Sequence, residues 1–154
     1  NIEKVANEAG VPFEAVPLEG MVEADVVISI TSTFAPTVMV NHIARGTHIA
    51  CMGADTKGKQ EVEAALLAKV TVFTDEVAQS ISIGEAQHAI AAGLITESNV
   101  HQIGAVINGT HAGRTSDDEI TMFDGTGVGL QDLAVAAAVV DLAVAKGIAI
   151  EVDF

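Results

Sequence analysis

With 154 residues and 49% apolar side chains, the chain can bury one substantial core and reads as one compact α/β layer system. Its 21 Asp and Glu against 7 Lys and Arg give a formal charge of −14, which excludes nucleic acid and anionic membrane surfaces as partners, because both need clustered Lys and Arg. A single cysteine, Cys51, excludes an intramolecular disulfide framework and fits the reducing cytoplasm.

The chain opens without Met or a signal peptide, and Asn1 to Gly10 reads as the end of a helix closed by glycine, as expected of a piece of a longer protein. Ala24 to Thr31 is a continuous apolar run rather than an alternating one, which predicts a parallel strand covered on both faces. His48 to Met52 and Val70 to Phe73 predict two more strands. Between them, Val62, Leu66 and Leu67 predict a helix from Gln60 to Ala68, so the spacing implies βαβ units.

Ser82-Ile83-Gly84-Glu85 has the S-x-x-E pattern of a capping box and predicts a helix that Gly93 closes. A further helix is predicted from about Ser98 to Asn108, then an exposed loop from Thr110 to Glu119 and a last strand at Ile120 to Phe123. Gly125-Thr126-Gly127-Val128-Gly129 leads into a long Ala/Val/Leu helix ending near Gly147. That helix is apolar nearly all round and is expected to lie buried between domains or subunits. Its longest apolar run, Leu133 to Val140 between Asp132 and Asp141, falls far short of the roughly 20 residues that span a bilayer.

In parallel sheets, ligands bind beyond the carboxyl ends of the strands. Thr31-Ser32-Thr33, Gly53-Ala54-Asp55, Thr74-Asp75-Glu76 and Asp124-Gly125-Thr126-Gly127 all fall there, with the glycines and small hydroxyl residues that let backbone approach a large ligand. Asp55 and the nearby Lys57 and Lys59 place an acid beside two of the few cations, although Asp55 reads equally as an Asx turn and the lysines as solvated side chains. Taken alone, Gly125 to Gly129 reads as a tight strand-to-helix turn, since it lacks the third glycine of the dinucleotide fingerprint at its usual spacing. His42, His48, His88, His101 and His111 are scattered and show no metal-ligand spacing, Cys51 reads as a small buried hydrophobe, and no G-x-S-x-G elbow is present.

Three segments together, Gly53 to Glu61, Arg114 to Asp124 and Gly125 to Asp132, resemble the ornithine cyclodeaminase/mu-crystallin family in order and spacing. The similarity runs over essentially the whole chain, which looks like the C-terminal half of a member roughly twice as long. The resemblance implies a Rossmann-type parallel sheet with flanking helices, with residues 1–124 a partial NAD(P)-binding domain. Residues 125–154 would be the glycine turn and a helix packing toward an N-terminal substrate and dimerisation domain. It implies NAD or NADP as cofactor, NAD favoured, a small amino or imino acid as substrate, and a homodimer.

By motif position Asp55 resembles the family's catalytic acid–base, with a pKa expected to be raised in an apolar, closed site. Thr31, Met52, Gly53, Ala54, Lys59 and Gly125 resemble cofactor-binding residues, and Thr126 a substrate-binding one. The family's dinucleotide glycine loop, its ribose-reading residue and its substrate-carboxylate anchors lie upstream of these motifs. The chain alone is therefore expected to be inactive. Ala54-Asp55-Thr56, Gly58-Lys59-Gln60-Glu61 and Ser116 to Thr121 look closest to the alanine-dehydrogenase-like branch, which implies an NAD(P)H-dependent reductase making a small L-amino acid such as alanine or aspartate. An ornithine cyclodeaminase, or a non-catalytic NADP-binding protein like mu-crystallin, is the alternative.

Overall fold

The computed structural model describes residues 2–152; Asn1, at the start of the expected first helix, and Asp153 and Phe154, at the end of the expected second unit, lie outside the described residues. Five strands, β1 (Val26–Ser29), β2 (His48–Cys51), β3 (Thr71–Thr74), β4 (Val100–Gln102) and β5 (Thr121–Asp124), form one sheet in the order β1-β2-β5-β3-β4. Every pairing is parallel. The fold is thus the expected α/β, Rossmann-type sheet with helices around it. The register places Ser29, Cys51, Asp124, Thr74 and Gln102 in one row across the carboxyl end.

The helices are α1 (Ile2–Ala9), α2 (Ala64–Leu67), α3 (Val77–Ser80), α4 (Ala86–Ala91), α5 (Ile103–Ile107) and α6 (Gly129–Ala145). Ile49, Val72 and Met122 of the inner strands pack with Val62, Leu66, Leu67, Ala86 and Ala89 into the main core. Sheet pairing and this core are what hold the strand ends in a fixed row.

Several elements differ from the sequence expectation for definable reasons. The helix expected from Gln60 shrinks to α2, because Val62 bridges Val38 and the Glu61 carbonyl accepts the N–H groups of Thr37 and Val38, which hold this stretch extended. The Ser82–Glu85 capping box does not form: the Ser82 hydroxyl turns back on the carbonyls of Ala78 and Gln79, and Glu85 points inward. Gly93 does close α4, with φ of 68° and the Leu94 N–H returning to the Ala89 carbonyl. The helix expected over Ser98 to Asn108 begins in a short 3-10 turn, Glu97–Asn99, passes through the edge strand β4 and is α-helical only in α5. Thr110 to Glu119 remains a loop.

On β1, apolar cover is less complete than the sequence predicts. Val27 and Ser29 are buried, but Val26 and Ile28 are exposed. Helix α6 buries none of its residues, and Leu130, Leu133, Val139, Val140 and Val144 all face out. No described helix is long and apolar enough to cross a membrane.

Candidate active site

The end of β1 and the end of β2 meet at a point that only glycine can occupy. A Cβ on Gly53 would lie 2.1 Å from the Thr31 carbonyl oxygen and 2.7 Å from the Glu61 carboxyl carbon. Next to it, a Cβ on Gly125 would lie 2.7 Å from the Met52 sulfur, so the turns after β2 and β5 also touch. Thr31, Met52, Gly53, Ala54, Gly125 and Thr126 therefore form one ledge at the carboxyl end of three adjacent strands.

Asp55 stands at the outer end of this ledge with its side chain 59% exposed, and the Lys59 ammonium lies 2.7 Å from its Oδ1. Lys59 also donates to the Gly53 carbonyl at 3.3 Å, which ties the cation to the ledge. Hydrogen bonds from Lys59 and Thr56, with the charge of Lys59, hold the Asp55 carboxyl below its ordinary value. This corrects the expectation of a raised pKa: Asp55 is exposed among the described residues, so the hydrogen bonds and charge of Lys59 outweigh the small desolvation that opposes them.

The loop carrying both residues is fixed from beneath by α4. The Gln87 side chain accepts from the Gly58 N–H at 2.8 Å and donates to the carbonyls of Lys59 and Gly84. His88 adds a ring-nitrogen contact of 3.0 Å to the Lys59 carbonyl.

Beneath the ledge lie three buried carboxyl groups; sequence reasoning placed Asp124 at a strand end but left Glu61 and Glu85 out of the site. Glu61 accepts from Ser29 Oγ, Thr31 N, Thr31 Oγ1 and Gly53 N at 2.6–2.8 Å. Glu85 accepts the N–H groups of Glu61 and Val62, and Asp124 Oδ2 accepts the Glu85 N–H and the Ser80 hydroxyl. Burial pushes Glu85 up to about 8 and Asp124 up to about 6, against the hydrogen bonds that favour their charged forms. Asp124 Oδ1 is buried with no partner among the described residues. The one available signal was an acidic residue beside small or apolar neighbours, as in Glu61-Val62 and Gly84-Glu85-Ala86.

Thr126 is buried rather than presented, since its N–H and hydroxyl both donate to Asp75. Burial raises the Asp75 carboxyl, but donors from Thr126, Gly127 and Glu76 outweigh it and leave the group below its ordinary value. Cys51 is fully buried and burial pushes its thiol well up, in keeping with a packing role. Arg114 lies at the opposite end of the sheet, bonded to Gly46 and to Thr121 at the start of β5, so its segment belongs to the scaffold.

Residues 2–147 match the ornithine cyclodeaminase/mu-crystallin family. The chain belongs to this family. It is 62% identical over 149 residues to the iminosuccinate reductase of Paracoccus denitrificans, covering 96% of this chain and 46% of that protein. Alanine dehydrogenase of Archaeoglobus fulgidus is 37% identical over 148 residues, again 96% of this chain and 46% of the relative.

Among solved structures, the Paracoccus denitrificans iminosuccinate reductase in complex with NAD+ superposes with a TM-score of 0.94 at 60% identity, covering 99% of this chain and 48% of that one. An archaeal alanine dehydrogenase dimer with bound NAD superposes at 0.90 with 36% identity, covering 98% of this chain and 48% of that one. This ornithine cyclodeaminase/mu-crystallin family member thus spans about half the length of the curated relatives it matches. Its strand-end ledge occupies the position where ligands bind in parallel α/β sheets.

Proposed function

We propose that the chain is the cofactor-bearing part of an NADH-dependent reductase that converts an imino acid to a small L-amino acid, with iminosuccinate to aspartate the favoured reaction. The observation that carries this reading is Asp55 at the end of β2, paired with Lys59 and adjoining a glycine-lined ledge. The 62% identity to an iminosuccinate reductase supports the choice of substrate, and the NAD+ complex of that relative supports the cofactor.

The residues fit a dinucleotide. Gly53 and Gly125 keep side chains off the ledge, Met52 is half exposed beside them, and Lys59 supplies a nearby cation in a strongly acidic chain. In this reading Thr31, Met52, Gly53, Ala54, Lys59 and Gly125 hold the cofactor, and Thr126 borders the substrate. When bound, NADH supplies the hydride for the electron-poor imine carbon. Conversion of C=N to the amine also needs a proton on nitrogen, and Asp55 is the acid–base group placed to manage it. Cover by the remainder of the family fold would desolvate Asp55 and raise its pKa toward neutrality, where it can both take and give a proton.

The same reading assigns residues 1–124 to the cofactor domain. Residues 125–154 form a connection whose apolar helix packs on an N-terminal substrate domain, in keeping with relatives about twice as long. A cytoplasmic homodimer completes it; one structural neighbour is a dimer.

The test is oxidation of NADH and NADPH by the full-length protein with 2-oxo acids plus ammonium, run beside ammonia release from ornithine. Oxidation with oxaloacetate plus ammonium, abolished by Asp55→Asn with NAD binding retained, is the expected result. Ammonia from ornithine alone would identify a cyclodeaminase, and silence in both assays a binding protein.

A further inference from the structure

Sheet register between β1 and β2 ends at Ser29 and Cys51, with one further ladder bond from the Met52 N–H to the Ser29 carbonyl. Beyond that point the strand ends are joined through a side chain. The Glu61 carboxylate takes the Ser29 hydroxyl at 2.6 Å, the Thr31 N–H at 2.6 Å and the Thr31 hydroxyl at 2.7 Å on Oε1, and the Gly53 N–H at 2.8 Å on Oε2. A carboxylate has about four acceptor positions, so these donors match it in number, with three crowded on Oε1 and one on Oε2. It is fully buried, and its own backbone is fixed by Glu85 on one side and by Thr37 and Val38 on the other.

The consequence concerns Thr31, whose hydroxyl and N–H are both committed to Glu61. Thr31 can therefore meet a ligand only with the groups that Glu61 leaves outward. We propose that Glu61 is a positioning residue for the dinucleotide: it sets the separation and facing of the Thr31 and Gly53 backbone across which the cofactor lies. This rests on the cofactor reading above and adds to it the buried group that shapes the ledge.

Glu61→Gln keeps the size of the side chain but converts one acceptor oxygen into a donor. In either orientation that donor opposes an N–H or hydroxyl that Glu61 now accepts. The expected result in the full-length protein is a calorimetric Kd for NAD raised about tenfold, as for a buried donor left without its acceptor. The KM for NADH should rise in parallel while the KM for the imino acid stays unchanged. Thr31→Val, which removes a single donor and preserves shape, should raise the Kd for NAD about threefold with the melting temperature nearly unchanged. It carries the test if Glu61→Gln does not fold.

A residue that merely supports the fold would lower Vmax and the melting temperature and leave both KM values alone; that result overturns the proposal. Unchanged NAD affinity in a folded Glu61→Gln protein, or in Thr31→Val where Glu61→Gln does not fold, overturns it while leaving the cofactor reading intact. Failure of the wild-type protein to bind NAD removes the cofactor reading and this inference with it.

Discussion

The Glu85 carboxylate accepts the backbone N–H of Glu61 at 2.8 Å, while the N–H of Glu85 itself donates to Asp124 Oδ2 at 2.9 Å. Each buried acid thus holds the backbone of the next, from the end of β5, through the start of α4, to the segment that locks β1 to β2. Such networks fix geometry strongly when satisfied and are costly where a member is not.

This arrangement predicts an unusual pH dependence. Burial raises Glu85 from 4.5 to about 8 in the folded protein, so between those values the folded state holds a proton that the unfolded chain has lost. Stability therefore falls as pH rises through this window, and Asp124, raised to about 6, adds to the fall at its acidic end. The full-length protein should melt several degrees higher at pH 5 than at pH 8, and Glu85→Gln should flatten the slope even if it lowers the overall melting temperature. A melting temperature that rises steadily from pH 5 to pH 8 would count against a protonated Glu85.

Lys59 governs the charge of Asp55 and should be separable from it. In Lys59→Met the Asp55 carboxyl loses both its hydrogen bond and its nearest cation, so its pKa should move up toward the ordinary carboxylate range. Carboxyl-carbon NMR titration of the chain reads this directly. Because Asp55 is exposed, the change in stability should be small. An Asp55 pKa that does not rise would mean the ion pair is absent in solution.

Gln87 offers a test of loop order without touching the site. Its side chain bonds Gly58, Lys59 and Gly84, and of these contacts the one to the Lys59 carbonyl is shared with His88. Gln87→Ala should speed amide hydrogen exchange in residues 56–59, cost about 1–3 kcal/mol of stability, and lower kcat more than the KM for NADH. Unaltered exchange across the loop would show that His88 and the Lys59–Asp55 pair suffice.

Much of the scaffold was legible because parallel strands leave a direct trace: continuous apolar runs such as Val26-Val27-Ile28 and His48-Ile49-Ala50-Cys51 announce them, even though Val26 and Ile28 on one face of β1 are exposed, and Gly93 announces a helix end. β4 left no such trace, since three residues paired only to Val72–Thr74 are specified by a tertiary partner rather than by local pattern. The insertion of β5, last in the chain, between β2 and β3 is likewise a long-range fact. Asp55 and Lys59 were visible as a rare clustering of charge, whereas Glu61 fell inside the helix expected from Gln60 and Glu85 read as part of a capping box. Their roles depend on donors 8 to 32 positions away, which no local window contains.

Two glycines on the ledge should respond differently to the same added methyl group. At Gly53 a Cβ meets the Thr31 carbonyl at 2.1 Å and the Thr31 nitrogen at 2.7 Å, and backbone on both sides is pinned by Glu61, so relief requires the ends of β1 and β2 to part. At Gly125 the nearest atoms are the Met52 sulfur at 2.7 Å and methyl at 2.8 Å, the far end of a flexible side chain that is 43% exposed and can swing outward. Gly53→Ala should therefore cost about 3 kcal/mol or more, at the upper end of overpacking, and abolish NAD binding. Gly125→Ala should leave the melting temperature within about 2 °C of wild type, a loss below roughly 1 kcal/mol, and weaken NAD binding only where the added methyl group meets the ligand. Equal melting temperatures for the two variants would show that the β1 and β2 ends are not held as closely as the Glu61 contacts require.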